Sequence, residues 1–333
     1  MKKLVLVLCA TVLFGAEGFQ VVNKIKVGGG GGWDYLTVDP AAHRLYVSHG
    51  NQVEVIDTEG GKVVGQIADT SGVHGIAIAP ELNKGFTSNG RTNNVTVFDL
   101  KTLQKTGEVA TGMNPDSICY EPKTQRVFTF NGRSNDSTAI DAKTNSVVAT
   151  FPVGPKPEFC AADGAGKMYV NIENSSEIVE IDAQKPAVSR RAPLAPCEEP
   201  SGLAIDPKGH KLFSVCGNKM MAVTDIGTLK VVATPAIGLG PDAAAWDGGL
   251  GLAFSSNGRD GTLTIVKEVS GKFEAVDTVT TEPTARTMTI DDKTHRLYLS
   301  AAEVGPAPEP KEGQKKGRGT VLPDSFHIVV VGK

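Results

Sequence analysis

The segment Leu203-Ala204-Ile205-Asp206-Pro207 is one of seven copies of a short phrase in this chain. The phrase consists of an apolar, a small and a second apolar residue, followed in most copies by an acid and a turn former. Its copies begin at Leu36, Ile76, Ile118, Cys160, Leu203, Ala244 and Met288. Successive copies therefore start 40, 42, 42, 43, 41 and 44 residues apart. A strand-rich repeat of about this length is typical of a β-propeller, with one four-stranded blade per repeat.

Each repeat has the pattern of four strands separated by turns. In the second repeat, residues 76–79, 85–88, 95–99 and 106–110 carry apolar or alternating side chains and are separated by Pro, Asn and Gly. The second residue of the phrase is small in every copy, as expected where the innermost strands of seven blades converge. The sequence predicts an all-β fold, a single seven-bladed β-propeller over residues 19–333.

Both chain ends take part in the predicted ring closure. The last repeat has no fourth strand, whereas residues 21–27 resemble the fourth strand of the first blade, residues 62–67. We expect this N-terminal strand to complete the last blade and to leave no open sheet edge there. The last blade also contains a proline-rich insertion, residues 301–325, which is predicted to be flexible. Its alternative role is a lid or a partner-binding arm.

The first eighteen residues have the features of a signal peptide. Lys2 and Lys3 precede an apolar run over residues 4–14, and small residues at Ala16 and Gly18 offer a cleavage site. The run is too short to span a bilayer as a helix. We predict export to the periplasm or the medium and expect no lipid anchor at Cys9, because the preceding Leu8 is bulkier than a lipoprotein site prefers.

The charge of the chain limits the classes of partner. The formal net charge is -3, and removing Lys2, Lys3 and Glu17 with the signal peptide makes it -4. A chain of this charge has no general attraction for nucleic acids or acidic membranes. We expect a monomer without a membrane span.

Four cysteines remain in the predicted mature chain. Cys119 and Cys160 lie inside the repeated phrase and are predicted to pack as small apolar residues. Cys197 and Cys216 flank the fifth phrase at one end of a blade and are predicted to form a disulfide, which an exported protein permits. No CxxC pair indicates a cysteine zinc site.

Several strands resemble one known family. The segments Lys167-Met168-Tyr169-Val170-Asn171 and Asn94-Val95-Thr96-Val97-Phe98-Asp99 are similar to the strands of YVTN-type seven-bladed β-propeller repeat proteins of bacteria and archaea. The Gly-His and Trp-Asp signatures of WD40 repeats are missing from the blades. The resemblance implies an exported binding or scaffold protein; some relatives are linked to cell surfaces and one periplasmic relative to single-stranded DNA. No catalytic motif transfers with it.

The variable positions lie two residues before each phrase, where the chain enters the innermost strand. They hold Asp34, His74, Asp116, Glu158, Ser201, Asp242 and Arg286. The predicted ring at the channel mouth consists of five of them: Asp34, His74, Asp116, Glu158 and Asp242. Such a ring can bind a divalent cation, Ca²⁺ or Mg²⁺, or a cationic ligand. The alternative is a set of ordinary turns, in which an acid bonds nearby backbone amides.

A second set of polar residues is predicted on the same face. Asn89-Gly90-Arg91, Asn131-Gly132-Arg133 and Asn257-Gly258-Arg259 are near copies, and Asn-Gly suits a turn that needs positive φ. With Arg286, the residues Arg91, Arg133 and Arg259 form a candidate basic rim for a phosphate, a carboxylate or a nucleic-acid backbone. Nearby aromatic side chains for stacking are Trp33, Tyr35, Phe130 and Phe159. The alternative is a set of solvated surface arginines.

Three functions remain open at this point. The first is a non-enzymatic protein that binds a protein partner or a small ligand at the loop-rich face around the channel. The second is a metal-dependent hydrolase of lactonase type, with the cation in the acidic channel mouth. The third is single-stranded nucleic-acid binding along the arginine rim. No spacing requires a Ser-His-Asp or Cys-His catalytic arrangement.

Overall fold

Seven antiparallel four-stranded sheets form a closed ring in the computed structural model, which describes residues 18–306 and 319–333. The predicted all-β, seven-bladed propeller is confirmed. Within the described residues the only helical element is a short 3-10 turn at Pro80–Leu82. No helix in this part of the chain has the length and apolar character needed to cross a bilayer. The predicted signal peptide, apart from Gly18, lies outside the described residues.

The first four blades follow one another along the chain. Blade 1 consists of β2 (Trp33–Asp39), β3 (Arg44–His49), β4 (Gln52–Asp57) and β5 (Lys62–Ile67). Blade 2 consists of β6 (Val73–Ala79), β7 (Lys84–Asn89), β8 (Asn94–Asp99) and β9 (Lys105–Ala110). Blade 3 consists of β10 (Pro115–Glu121), β11 (Arg126–Asn131), β12 (Asp136–Asp141) and β13 (Ser146–Pro152). Blade 4 consists of β14 (Pro157–Ala162), β15 (Lys167–Ile172), β16 (Glu177–Asp182) and β17 (Ala187–Pro193).

Three further blades complete the ring. Blade 5 consists of β18 (Pro200–Asp206), β19 (Lys211–Cys216), β20 (Met220–Asp225) and β21 (Lys230–Ala233). Blade 6 consists of β22 (Pro241–Asp247), β23 (Leu252–Asn257), β24 (Thr262–Val269) and β25 (Lys272–Thr280). Blade 7 consists of β26 (Thr287–Asp291), β27 (Arg296–Ala301), β28 (His327–Gly332) and the N-terminal strand β1 (Gln20–Lys26).

Ring closure depends on the N-terminal strand. β1 pairs antiparallel with β28, and Ile25 lies opposite Ile328. Both side chains are buried in one hydrophobic cluster between blades 7 and 1, which also contains Leu45 and Phe326. The predicted closure, in which the start of the chain completes the last blade, is therefore present in the structure.

The small residue of the repeated phrase has a second structural reason besides blade convergence. Ala77 lies directly across from Phe86 on the neighbouring strand, and Ala204 lies across from Phe213. The same pairing of a small residue with a buried aromatic ring recurs in every blade: Thr37–Tyr46, Ala77–Phe86, Cys119–Phe128, Ala161–Tyr169, Ala204–Phe213, Ala245–Phe254 and Thr289–Tyr298. Cross-strand neighbours share a face of the sheet, so a large residue here would collide with the ring.

Two disulfides join the four cysteines. Cys197 is bonded to Cys216, the pair that the sequence predicts. Cys119 is bonded to Cys160, so the prediction that these two pack only as small apolar residues is wrong. Cys119 on β10 and Cys160 on β14 are adjacent because the innermost strands of neighbouring blades touch, and the bond therefore links blade 3 to blade 4.

The described ends of the proline-rich insertion are paired with each other. Val304 and Val321 form an isolated antiparallel bridge, and Gly305 N donates to Thr320 O at 2.8 Å. Ala302 is buried at the base of this hairpin, where its amide is bonded to Thr284 Oγ1. The middle of the insertion, residues 307–318, lies outside the described residues.

Candidate functional site

The predicted ring residues are positioned by irregularities in strand pairing. In six blades, the pairing of the innermost strand shifts at its start, and the ring position lies within that shift. His74, for example, lies between Val73 and Gly75, where the register changes. The other shifts contain Asp34, Asp116, Glu158, Ser201 and Asp242. A β-bulge re-aims the side chain that it contains, so these residues meet at the channel mouth rather than lying flat in the sheet.

Hydroxyl groups from other blades fix the backbone at these positions. Ser88 Oγ donates to Asp116 O at 2.6 Å, and Thr287 Oγ1 donates to Asp34 O at 2.7 Å. Tyr35 Oη donates to Asp242 O at 2.5 Å. Each bond joins two blades, so the relative positions of the ring residues are held by the contacts between blades.

His74 lies between two of the predicted acids. Its Nδ1 is 2.7 Å from Asp34 Oδ2 and 3.4 Å from Asp116 Oδ1. One donor atom from each of the three residues lies within 4.8 Å of the others, which is close enough for one metal ion to contact all three. All three side chains are half-buried. The structure thus brings three of the five predicted ring residues into one potential ligand set.

Arg286 belongs to the acidic cluster rather than to an outer basic rim. Its Nη1 bonds Asp242 Oδ2, and its Nη2 lies 3.8 Å from Asp34 Oδ1 and 3.0 Å from Trp33 O. The guanidinium therefore neutralises part of the carboxylate charge on the side of blades 6, 7 and 1. Its grouping with Arg91, Arg133 and Arg259 is not what the structure shows.

Glu158 faces a second internal cation. Lys156 Nζ lies 3.4 Å from Glu158 Oε1 and also bonds a carboxylate oxygen of Glu173. Sequence reasoning missed Lys156 and Glu173. The sequence did contain a signal for this pair. Glu173 occupies the turn position at which blades 2, 3 and 6 carry the glycine of Asn-Gly-Arg, so an acid here is a departure from the repeat.

Crowding of carboxylates alters their protonation. Burial, together with the charge of Asp34, raises the pKa of Asp116 to about 6, although His74 opposes the shift. Burial and the charge of Asp116 raise the pKa of Glu158 to about 10. Glu158 is therefore protonated at neutral pH, whereas Asp116 is largely ionised. Burial lowers the pKa of His74, but its hydrogen bond to Asp34 and the nearby carboxylate charges outweigh burial and raise it.

An aromatic pair spans the channel next to the charged groups. The rings of Tyr35 and Phe159, from blades 1 and 4, stack with centroids 4.0 Å apart and planes 19° apart. Burial and the surrounding carboxylates raise the pKa of Tyr35 well above its usual value, so the phenol stays neutral. These rings pack on each other, Trp33 packs on Phe326, and Phe130 is buried. The four aromatic candidates for base stacking are thus packed within the protein.

The three remaining arginines of the predicted rim are exposed. Arg91, Arg133 and Arg259 lie on the turns between the second and third strands of their blades. The prediction that the glycine before each arginine adopts positive φ is wrong. Positive φ occurs at the later residues Asn93 and Asn135 and not at Gly90 or Gly132. At Gly90 and Gly258 the glycine instead provides space for a ring residue: an added Cβ would lie 2.6 Å from His74 Nε2 of the same blade and 2.5 Å from Arg286 Cβ at the start of the next blade.

The comparisons with known proteins show the fold. No family model matches the chain, and no curated protein does. A chain of Kuenenia stuttgartiensis hydrazine synthase is similar over 83% of this chain and 94% of its own, with 16% identity and a TM-score of 0.70. The structure of U3-55K is similar over 95% of this chain and 99% of its own, with 10% identity and a TM-score of 0.75.

A third similar chain comes from the crystal structure of the mitotic checkpoint complex. It covers 90% of this chain and 92% of its own, with 13% identity and a TM-score of 0.72. At these identities the shared property is the seven-bladed β-propeller fold, which hosts many functions. The resemblance to YVTN-type repeat proteins therefore remains a prediction, and function has to be inferred from the site.

Proposed function

We propose that this protein is an exported binding protein that takes a cationic ligand at the acidic mouth of its channel. The observation that carries the proposal is the convergence of Asp34, His74 and Asp116 at one point, with donor atoms within 4.8 Å of one another. Asp242 and the acid Glu158, which is protonated at neutral pH, lie beside this point. The cationic side chains Arg286 and Lys156 compensate only part of the carboxylate charge.

A divalent cation is the first ligand to test. Carboxylate oxygens suit Ca²⁺ and Mg²⁺, and a set that also contains one imidazole nitrogen suits Zn²⁺. His74 must be neutral to act as a ligand, so cation binding releases its proton and becomes weaker as the pH falls. The same charges would favour an ammonium or guanidinium group presented by a protein partner.

Propeller chains also occur in assemblies, which supports a protein partner at the same face. The mitotic checkpoint complex contains one of the similar chains. In this protein the exposed residues Arg91, Arg133 and Arg259 each follow a glycine that lies near a residue of the mouth. A partner that presents a basic group to the centre and acidic groups to the periphery would match this charge distribution.

A second candidate function is metal-dependent hydrolysis, which the protonation of Glu158 favours. A carboxylic acid with a pKa of about 10 next to a potential metal site is a group that can donate a proton. The three potential ligands would hold the metal, whose role when bound is to polarise a carbonyl or activate water. A lactone is one substrate that this type of hydrolysis would open.

The deciding experiment is a metal analysis of the purified mature protein, followed by thermal unfolding with Ca²⁺, Mg²⁺, Zn²⁺ or EDTA. A ligand present at 100 times its Kd stabilises the native state by about 2.7 kcal/mol and so raises Tm by several degrees. Asp116→Asn should abolish the response, whereas Glu59→Gln, an exposed acid on the opposite face, should keep it. No response to any cation in the wild-type protein would reject metal binding and, with it, the hydrolase.

Binding of a protein partner at the mouth needs a separate binding measurement. A lysine-rich peptide should bind the wild-type protein and lose affinity with Asp34→Asn, and saturating divalent cation should compete with it if the two share the mouth. Binding of a single-stranded oligonucleotide that is lost with Arg91→Ala plus Arg133→Ala would instead favour the nucleic-acid function. Failure of peptide, cations and oligonucleotide alike would overturn the proposed binding role of this face.

A further inference from the structure

The channel continues past the aromatic pair as a chamber that is partly open to solvent. A cavity of about 460 Å³ lies against the innermost strands of blades 1 to 5. Tyr35 and Phe159 bound it on the side of the charged mouth, and Tyr120 and Pro122 line its opposite end. Because β10 runs from Pro115 at the mouth to Glu121 at the other face, the chamber extends along the channel axis.

The wall of this chamber is apolar. Ile78 and Ile205 contribute large side chains from the third position of the phrase, and Ala162 contributes a small one from the same position in blade 4. These side chains are only half-buried in a protein whose other apolar residues of this size are mostly in the core. Thr37 also lines the wall, but its hydroxyl already donates a hydrogen bond to Ile76 O at 2.6 Å.

We propose that this chamber binds a small uncharged apolar molecule, such as one carrying an aromatic ring system or a short acyl chain. Ligand pockets typically have volumes of about 300–1,000 Å³ and mainly apolar walls, and this chamber falls within that range. The stacked rings of Tyr35 and Phe159 separate it from the carboxylates, so an apolar ligand does not face buried charge. The proposal is independent of the cationic ligand at the mouth.

The repeat itself supplies a variant that fills the chamber. The third position of the phrase holds a large residue in the other six blades, including Tyr120 and Trp246, whereas blade 4 has Ala162. A phenylalanine at 162 therefore matches the sizes that this repeat position accepts elsewhere in the ring. Its ring would project towards the chamber that Ala162 lines.

The probe is the neutral dye N-phenyl-1-naphthylamine, whose fluorescence rises in apolar surroundings. We expect saturable binding to the wild-type protein and an affinity at least tenfold lower for Ala162→Phe. Ala187→Phe, which adds the same ring to an exposed outer-strand alanine, should bind the dye as the wild type does. Circular dichroism and Tm establish that each variant is folded.

A second variant covers the case in which Ala162→Phe does not fold. Ile205→Gln keeps a side chain of similar length and makes this half-buried part of the wall polar, so we expect at least a fivefold loss of dye affinity. Absence of saturable binding to the wild type, or equal affinity in all variants, would overturn the chamber as a binding site.

Discussion

Gly90 lies against the imidazole of His74 so closely that it leaves no space for a side chain. A Cβ at Gly90 would lie 2.6 Å from His74 Nε2. The turn of blade 2 therefore fixes the position of the histidine that begins the same blade. Its other ring nitrogen, Nδ1, bonds Asp34. The orientation of this central side chain is thus set from both sides.

The first prediction concerns this contact. Gly90→Ala should displace His74 from Asp34 and Asp116, destabilise the protein by about 1–3 kcal/mol through overpacking and weaken any response to cations. Gly132→Ala is the matched control, because it lies in the same Asn-Gly-Arg motif and its Cβ would be 3.4 Å from the nearest atom, Asn114 Nδ2. Urea unfolding and the cation series measure both effects. Equal behaviour of the two variants would show that the Gly90 contact does not position His74.

The second prediction follows from the raised pKa of Asp116. Its pKa of about 6 in the folded protein lies above the value of 3.8 for a free carboxyl. The folded state therefore binds the proton more tightly, and the contribution of this group to stability falls as the pH rises from about 4 to 6. Asp116→Asn removes this penalty, so we expect the variant to be about 3 kcal/mol more stable than the wild type at pH 7.

The check is urea unfolding of both proteins at pH 4 and pH 7. The stability difference should be smaller at pH 4, where the wild-type carboxyl is protonated in the folded state. His74 has the same sign, because its raised pKa also favours the folded state at low pH and that contribution is lost as the pH rises. Asp116→Asn removes one of the charges that raise the pKa of His74, so this contribution is smaller in the variant. A difference that does not change with pH would contradict the assignment.

The third prediction separates the two disulfides. The Cys119–Cys160 bond closes 41 residues and the Cys197–Cys216 bond closes 19. Chain entropy gives about 4 kcal/mol for the longer loop and about 3 kcal/mol for the shorter one. Replacing both cysteines of a pair by serine should therefore cost more for Cys119 and Cys160. Mass spectrometry counts the bonds, and urea unfolding gives the two costs; a larger cost for the shorter loop would contradict this order.

The repeat carried most of the fold information in the sequence. Seven phrases at nearly constant spacing locate the innermost strands, and the second strand of each blade carries its aromatic residue at a nearly constant distance from the phrase, as Phe86 and Phe213 do. Local periodicity determines such features. The N-terminal strand could also be placed, because blade 7 lacks a fourth strand and β1 resembles the missing one.

The site was only partly predictable, because its contacts join distant repeats. The ring positions could be located, yet the pairing of Arg286 with Asp242 depends on how far each side chain reaches across blades. The Cys119–Cys160 bond was missed for the same reason, since each cysteine fits the repeated phrase of its own blade and the bond joins two blades. Stacking of Tyr35 on Phe159 spans the channel, and no local pattern in the sequence indicates it.

The fourth prediction concerns the residue with which the mature chain is expected to begin. Phe19 is 4% exposed and packs edge-on against Phe254 of blade 6, with ring centroids 5.3 Å apart. Phe19 thus fixes the start of β1 to blade 6, whereas β1 itself completes blade 7. Phe19→Ala should cost about 3–4 kcal/mol, because it removes a buried ring and leaves a cavity next to Phe254. Val22→Ala, on the same strand with 43% exposure, should change stability by less than about 0.5 kcal/mol. The free energy of unfolding in urea gives both values, and near-equal losses would mean that ring closure depends on strand pairing alone.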